Sequence, residues 1–136
     1  MSRDVSIGEA ATASGVKVPT IRFYEQIGLL PSPPRTEGNR RLYGASDLRR
    51  LTFIRHAREL GFEIDAIRTL LVLQDHPDQS CDAADKIARA RLVEVEVRIA
   101  SLVALQKELQ RMIKGCAHGS VSECRVIEIL GSKLNE

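Results

Sequence analysis

The sequence predicts a mainly α-helical protein: a small winged helix-turn-helix head, one long coiled-coil helix, and a short cysteine-bearing end. Three observations carry that prediction. Charged residues make up 28% of the 136 and aromatics only 4%, a balance suited to soluble helices and poor for a β-sandwich core. Two short helical patterns near the N-terminus are separated by Ser14-Gly15. Finally, the stretch from Asp82 to about Ile113 contains neither Pro nor Gly and is longer than a typical globular helix.

A chain of 15.1 kDa has room for one domain, or a small domain with an appendage, and a modest core. The start, MSRDVSIGEAA, lacks the basic-then-apolar layout of a signal peptide, and no window approaches the roughly 18 apolar residues of a membrane span. A cytoplasmic protein without membrane contact is expected. The net charge of +2 hides an asymmetry: residues 1–60 carry ten Lys and Arg against six Asp and Glu, whereas residues 61–136 carry ten against twelve. The front half is therefore the candidate for a polyanionic partner.

Ser6 stands at an N-cap with Glu9 three residues on, the capping-box signature of a first helix that Ser14-Gly15 ends. In PTIRFYEQIGLL, Pro19 marks a second helix start and Gly28 its stop. The prolines of PSPPRTEGNRRLYG preclude a helix between Pro31 and Gly44, and EGN can turn a small β-hairpin, or wing. Ser46 is expected to cap a third helix, with Leu48, Leu51, Ile54 and Leu60 on one face, closed by Gly61. IDAIRTLLVL supplies a fourth, before the loop HPDQS.

In the long run, a heptad frame puts Asp85, Leu92, Ile99, Gln106 and Ile113 at a and Ala88, Val95, Leu102 and Leu109 at d. Seven of these nine are apolar, and too little chain remains to cover them. A partner helix from a second subunit, parallel or antiparallel, would bury the seam; packing on the chain's own head is the alternative. The resulting division is 1–75 for the head, 76–113 for hinge loop and dimerisation helix, and 114–136 for a cysteine loop and short C-terminal helix.

Two sets of residues carry chemistry. Thr20, Arg22 and Tyr24 are expected near the exposed face of the second helix, and Arg35, Asn39, Arg41 and Tyr43 on the wing. With Arg55 of the third helix they form a candidate double-stranded DNA interface, since arginine makes bidentate phosphate or guanine contacts and tyrosine can donate to a phosphate. The second set is Cys81, Cys116 and Cys124, an odd number of thiols that in a reducing compartment serve more often as ligands than as disulfides. His118 and His76 are the candidates for a further ligand.

The segment IGEAATASGVKVPTIRFYEQIGLLPSPPRTEGNRRLYGASDLRRLTFIRHARELGF, above all TIRFYEQIGLL and NRRLYG, resembles the winged-helix head of the MerR family of transcription regulators. The resemblance runs on through the long helix to the cysteine loop. It implies an antiparallel coiled-coil homodimer bound to a pseudo-palindromic operator, which when activated bends and untwists an overlong promoter spacer for RNA polymerase. Within one chain Cys81 and Cys116 are separated by about 32 helical residues, roughly 48 Å, too far to share an ion. Antiparallel pairing would bring Cys81 of one subunit to Cys116 and Cys124 of the other.

Three thiolates suit Zn, Cd, Pb or Hg. Cysteine at position 81 resembles the divalent branch of the family, whereas the seven-residue spacing of CAHGSVSEC looks like the loop of Cu(I), Ag(I) and Au(I) sensors. The expected function is a metal-responsive activator of a resistance or efflux promoter that senses a divalent ion, with a Cu(I)-type sensor as the alternative. A thiol redox protein, or a DNA-architectural dimer without metal sensing, is the alternative of another class. No C-x-x-C pair and no Ser/His/Asp constellation points to an enzyme.

Overall fold

The computed structural model describes residues 4–31, 41–114 and 119–132. Those residues form six α-helices: α1 (Ile7–Ser14), α2 (Val18–Gln26), α3 (Ala45–Glu59), α4 (Ile64–Gln74), α5 (Asp82–Ile113) and α6 (Arg125–Ser132), with a 3-10 turn at Val121–Glu123. Outside the helices, Val5 and Tyr43 form an antiparallel bridge. The chain makes two compact units, Met1–Ala88 and Arg89–Glu136.

Local chemistry explains the head. Ser6 accepts from the Glu9 N–H at 3.2 Å while the Glu9 carboxylate accepts from the Ser6 N–H at 3.3 Å, so two orphan donors of α1 are satisfied reciprocally. Gly15 ends the helix at φ 76°, where a side chain would be strained and would also press on Arg55. Pro19 sits in the first turn of α2, where its missing N–H deprives no helical bond. Gly28, at φ 80°, turns the chain so that Leu29 and Leu30 fold back under α2.

The third helix starts one residue before the expected cap. Gly44 is the N-cap, and Asp47 reaches back to accept its N–H at 3.0 Å, leaving Ser46 exposed in the first turn. Leu51 and Ile54 are fully buried and Leu48 partly so, as the helical spacing predicts, but Leu60 is 65% exposed because the helix has ended beneath it. α1 packs on both α2 and α3, and α3 on α4. Ala10, Ile21, Leu29, Leu30, Tyr43, Leu51, Ile54, Ile67 and Leu71 form one continuous core. From α3, Arg50 donates to the Leu29 carbonyl at 2.8 Å and pairs with Asp75 at 3.2 Å, tying the end of the α2 turn to the end of α4.

In α5, 32 residues run without interruption. Leu92, Ile99, Leu102, Leu109 and Ile113, five of the expected seam, are between 48% and 66% exposed in the single chain.

Candidate nucleic-acid interface and metal centre

Two open depressions on the head gather basic residues. One, of about 360 Å³, is lined by Thr20, Tyr24 and Arg55 together with Lys17 and Arg58. The other, of about 310 Å³, is lined by Arg22, Arg41, Glu25 and Gln26. Lys17 and Arg58 were missed in the sequence because a single basic residue carries no signal until folding sets it beside another.

Both tyrosines depart from the expected exposed positions. Tyr24 is 7% exposed, for it shares the inner face of α2 with Ile21 three residues before, although it still lines the first depression. Tyr43 is completely buried. Its backbone pairs with Val5 in both directions at 2.8 Å, which turns the ring into the core, and its hydroxyl donates to Glu25 Oε1 at 2.7 Å. Burial, reinforced by the Glu25 carboxylate and opposed by Arg41, pushes the Tyr43 phenol up to about 12.

The arginines are also partly engaged inside the head. Arg41 Nη1 donates to Glu25 Oε2 at 2.8 Å. Arg55 Nε donates to the Ser14 carbonyl at 2.9 Å and its Nη1 to Glu59 at 2.7 Å, so it braces α1 against α3 before it can face any partner. Arg22 is exposed and Thr20 half-buried. Arg35 and Asn39 lie outside the described residues.

Cys81 is exposed immediately before α5, and its carbonyl accepts the Asp85 N–H at 2.9 Å, the first bond of that helix. It lines an apolar depression of about 350 Å³ with Phe53, Leu70, Leu73, His76 and Pro77. The His76 Nδ1 is 2.8 Å from the Val72 carbonyl. A carbonyl only accepts, so Nδ1 carries a proton, and in the neutral imidazole the lone pair is then on Nε2. Cys124 is half-buried where the 3-10 turn meets α6, and its carbonyl accepts from Glu128 at 3.0 Å. Cys116 and His118 lie outside the described residues. Among the described residues no three His, Cys, Asp or Glu side chains are clustered to hold an ion. Thiols suit a soft or borderline metal in kind, and the described part of one chain does not assemble a site.

Helix pair, tight turn and basic depressions together define the head as that of a helix-turn-helix DNA-binding regulator. The comparisons agree and are specific. Residues 5–73 match the MerR helix-turn-helix regulatory protein family, and residues 48–112 match the MerR DNA-binding family. The chain is 46% identical over 128 residues to the HTH-type transcriptional regulator ZntR of Escherichia coli K12, covering 91% of this chain and 90% of that protein. It is 36% identical to the mercuric resistance operon regulatory protein of Serratia marcescens, covering 96% and 90%. Its fold superimposes with a TM-score of 0.78 on the transcription regulator PbrR691 of Ralstonia metallidurans CH34 in complex with lead(II), at 38% identity over 93% of this chain and 98% of that one. The chain belongs to the MerR family of transcription regulators.

Proposed function

We propose that the chain senses a divalent soft or borderline ion, Zn, Cd, Pb or Hg, and as a homodimer activates a metal-resistance or efflux promoter by distorting operator DNA for RNA polymerase. The coarser statement, a metal-responsive transcriptional regulator, is carried by the family and by relatives that include a mercuric resistance regulator and a regulator bound to lead(II). No helix among the described residues is long and apolar enough to cross a membrane, in keeping with a cytoplasmic DNA-binding protein.

The observation that carries the finer reading is the unbroken 32-residue α5 between Cys81 and the C-terminal cysteine loop. Such a helix is about 48 Å long at about 1.5 Å per residue, so one chain has a thiol before one end of the rod and its other thiols after the opposite end. The exposed stripe along the rod supports pairing, and antiparallel pairing would set Cys81 beside the partner's Cys116 and Cys124. His118 of that loop, or His76 through its Nε2, is the candidate fourth donor. On the DNA side, Arg22, Thr20, Tyr24 and Arg55 with Arg35 and Asn39 would meet the duplex. Sensing is then a shift between two dimer conformations that bind the ion unequally.

The seven-residue spacing between Cys116 and Cys124 favours a second reading, a Cu(I), Ag(I) or Au(I) sensor using the two loop thiols. A titration of the reduced protein with Zn, Cd, Pb, Hg and Cu(I), each against a competing chelator, separates the two. In the divalent reading the wild type binds two divalent ions per dimer and Cys81→Ser loses that binding. Tight Cu(I) binding that survives Cys81→Ser, with weak divalent binding, would establish the alternative.

A further inference from the structure

One acidic side chain on α2 has no part in the basic DNA-facing set. Glu25 lies within one turn of Arg22, and only 4% of its side chain is exposed. A carboxylate so far removed from water is strongly unfavourable unless donors meet both oxygens. Here they do: Arg41 donates to Oε2 at 2.8 Å and Tyr43 to Oε1 at 2.7 Å. Both donors come from the short arm that leads into α3, 16 and 18 residues further along the chain. The same arm is held from its other side by the two Val5–Tyr43 backbone bonds.

We propose that Glu25 is a positioning residue for operator binding, which locks the Arg41–Tyr43 arm to α2 so that arm and helix meet the duplex in one register. The arm is thereby stapled twice, to Val5 by its backbone and to α2 by its side chains. A consequence follows for Arg41. Its charge is compensated by Glu25, and a compensated pair releases no counterion when DNA binds, unlike an arginine facing a phosphate. Arg41 acts through the arm's geometry, and Arg22, across the same depression, keeps its charge for the duplex. A misplaced arm harms the selected sequence more than DNA in general, because register matters to base readout and little to diffuse phosphate attraction.

The test uses the full-length protein, a duplex selected by the wild type from a random-sequence pool, and an unrelated duplex of equal length, with affinities measured over a salt series. Glu25→Ala is expected to weaken binding to the selected duplex roughly tenfold and to the unrelated duplex less than about twofold. Glu25→Gln keeps one acceptor oxygen but replaces the other with a donor and removes the charge facing Arg41, so it should recover only part of that loss. Arg41→Gln should weaken selected binding while leaving the slope of log K against log salt unchanged. A slope shallower by about 0.9 in Arg41→Gln would make Arg41 a phosphate ligand and overturn the proposal. Tighter binding by Glu25→Ala, through a released Arg41, would overturn it too. Should Glu25→Ala not fold, by circular dichroism, Tyr43→Phe and Arg41→Gln carry the comparison: selective loss with an unchanged slope in both supports the proposal, and wild-type affinity in both overturns it.

Discussion

Tyr24 and Tyr43 show how far single residues could be read. Each stands beside arginines in a basic, Gly-punctuated sequence, and a hydroxyl among arginines suggests a phosphate donor. The competing signal was present: Tyr24 follows Ile21 at the three-residue spacing of one helix face, and that face is the core. For Tyr43 no local pattern could have served, because its inward turn depends on pairing with Val5, 38 positions earlier in the chain (43 − 5). Its burial has a measurable signature. The folded state holds the phenol protonated up to about pH 12 whereas an unfolded tyrosine ionises near 10. More protons are then bound by the native state between those values, so stability falls as pH rises from about 10 to 12. A tyrosinate absorbance titration should show a step near 12 that is missing in Tyr43→Phe, and that variant's alkaline loss of stability in the same window should be shallower.

Elements were more legible than residues. The Ser6 and Glu9 pair, Gly15, Pro19, Gly28 and Gly61 each act through backbone rules a few residues long, and the ends of α1 and α2 and the close of α3 fall within two residues of where those rules put them. The length of α5 follows from a run without Pro or Gly, though that run begins at Asp78, four residues before the helix does. What a sequence pattern cannot supply is the covering of its apolar seam, which in one chain leaves Leu92, Ile99, Leu102 and Leu109 about half exposed. Burying one such side chain fully is worth roughly 1.5–3 kcal/mol, so the stripe has enough free energy to hold two helices together. If the stripe pairs two copies as proposed, Leu102→Glu, near the middle of the rod, moves the protein from dimer to monomer in sedimentation equilibrium at micromolar concentration. Thr52→Glu, a change on α3 of the head, should leave such pairing intact.

For the whole molecule, the DNA head could be inferred from motif and charge together, but the metal centre only in part. The proposed thiol ligands lie before and after α5 in the sequence, and no three His, Cys, Asp or Glu side chains cluster among the described residues. Sensing in this arrangement is a coupling between two binding events, and such coupling is reciprocal. If saturating Cd changes operator affinity by some factor, saturating operator must change Cd affinity by the same factor, within error. Equal factors are expected from paired titrations on one preparation, and in Cys81→Ser both should approach one. A metal effect on transcription with no reciprocal change in either affinity would place the signal in polymerase contacts instead.

The order of the core along the chain bears on how the protein is made. Among the described residues, every buried apolar residue of the head lies between Ala10 and Leu71, ahead of the whole of α5. At roughly 5–20 residues per second, a ribosome needs several seconds to add the rod after the head's last core residue, ample time for a small domain to fold. The head's core is therefore synthesised before the rod, and the apolar rod emerges last, close to other chains growing on the same message. A message broken within α5 leaves a fragment that retains the head's entire core and all of its described basic surface but lacks part of the stripe.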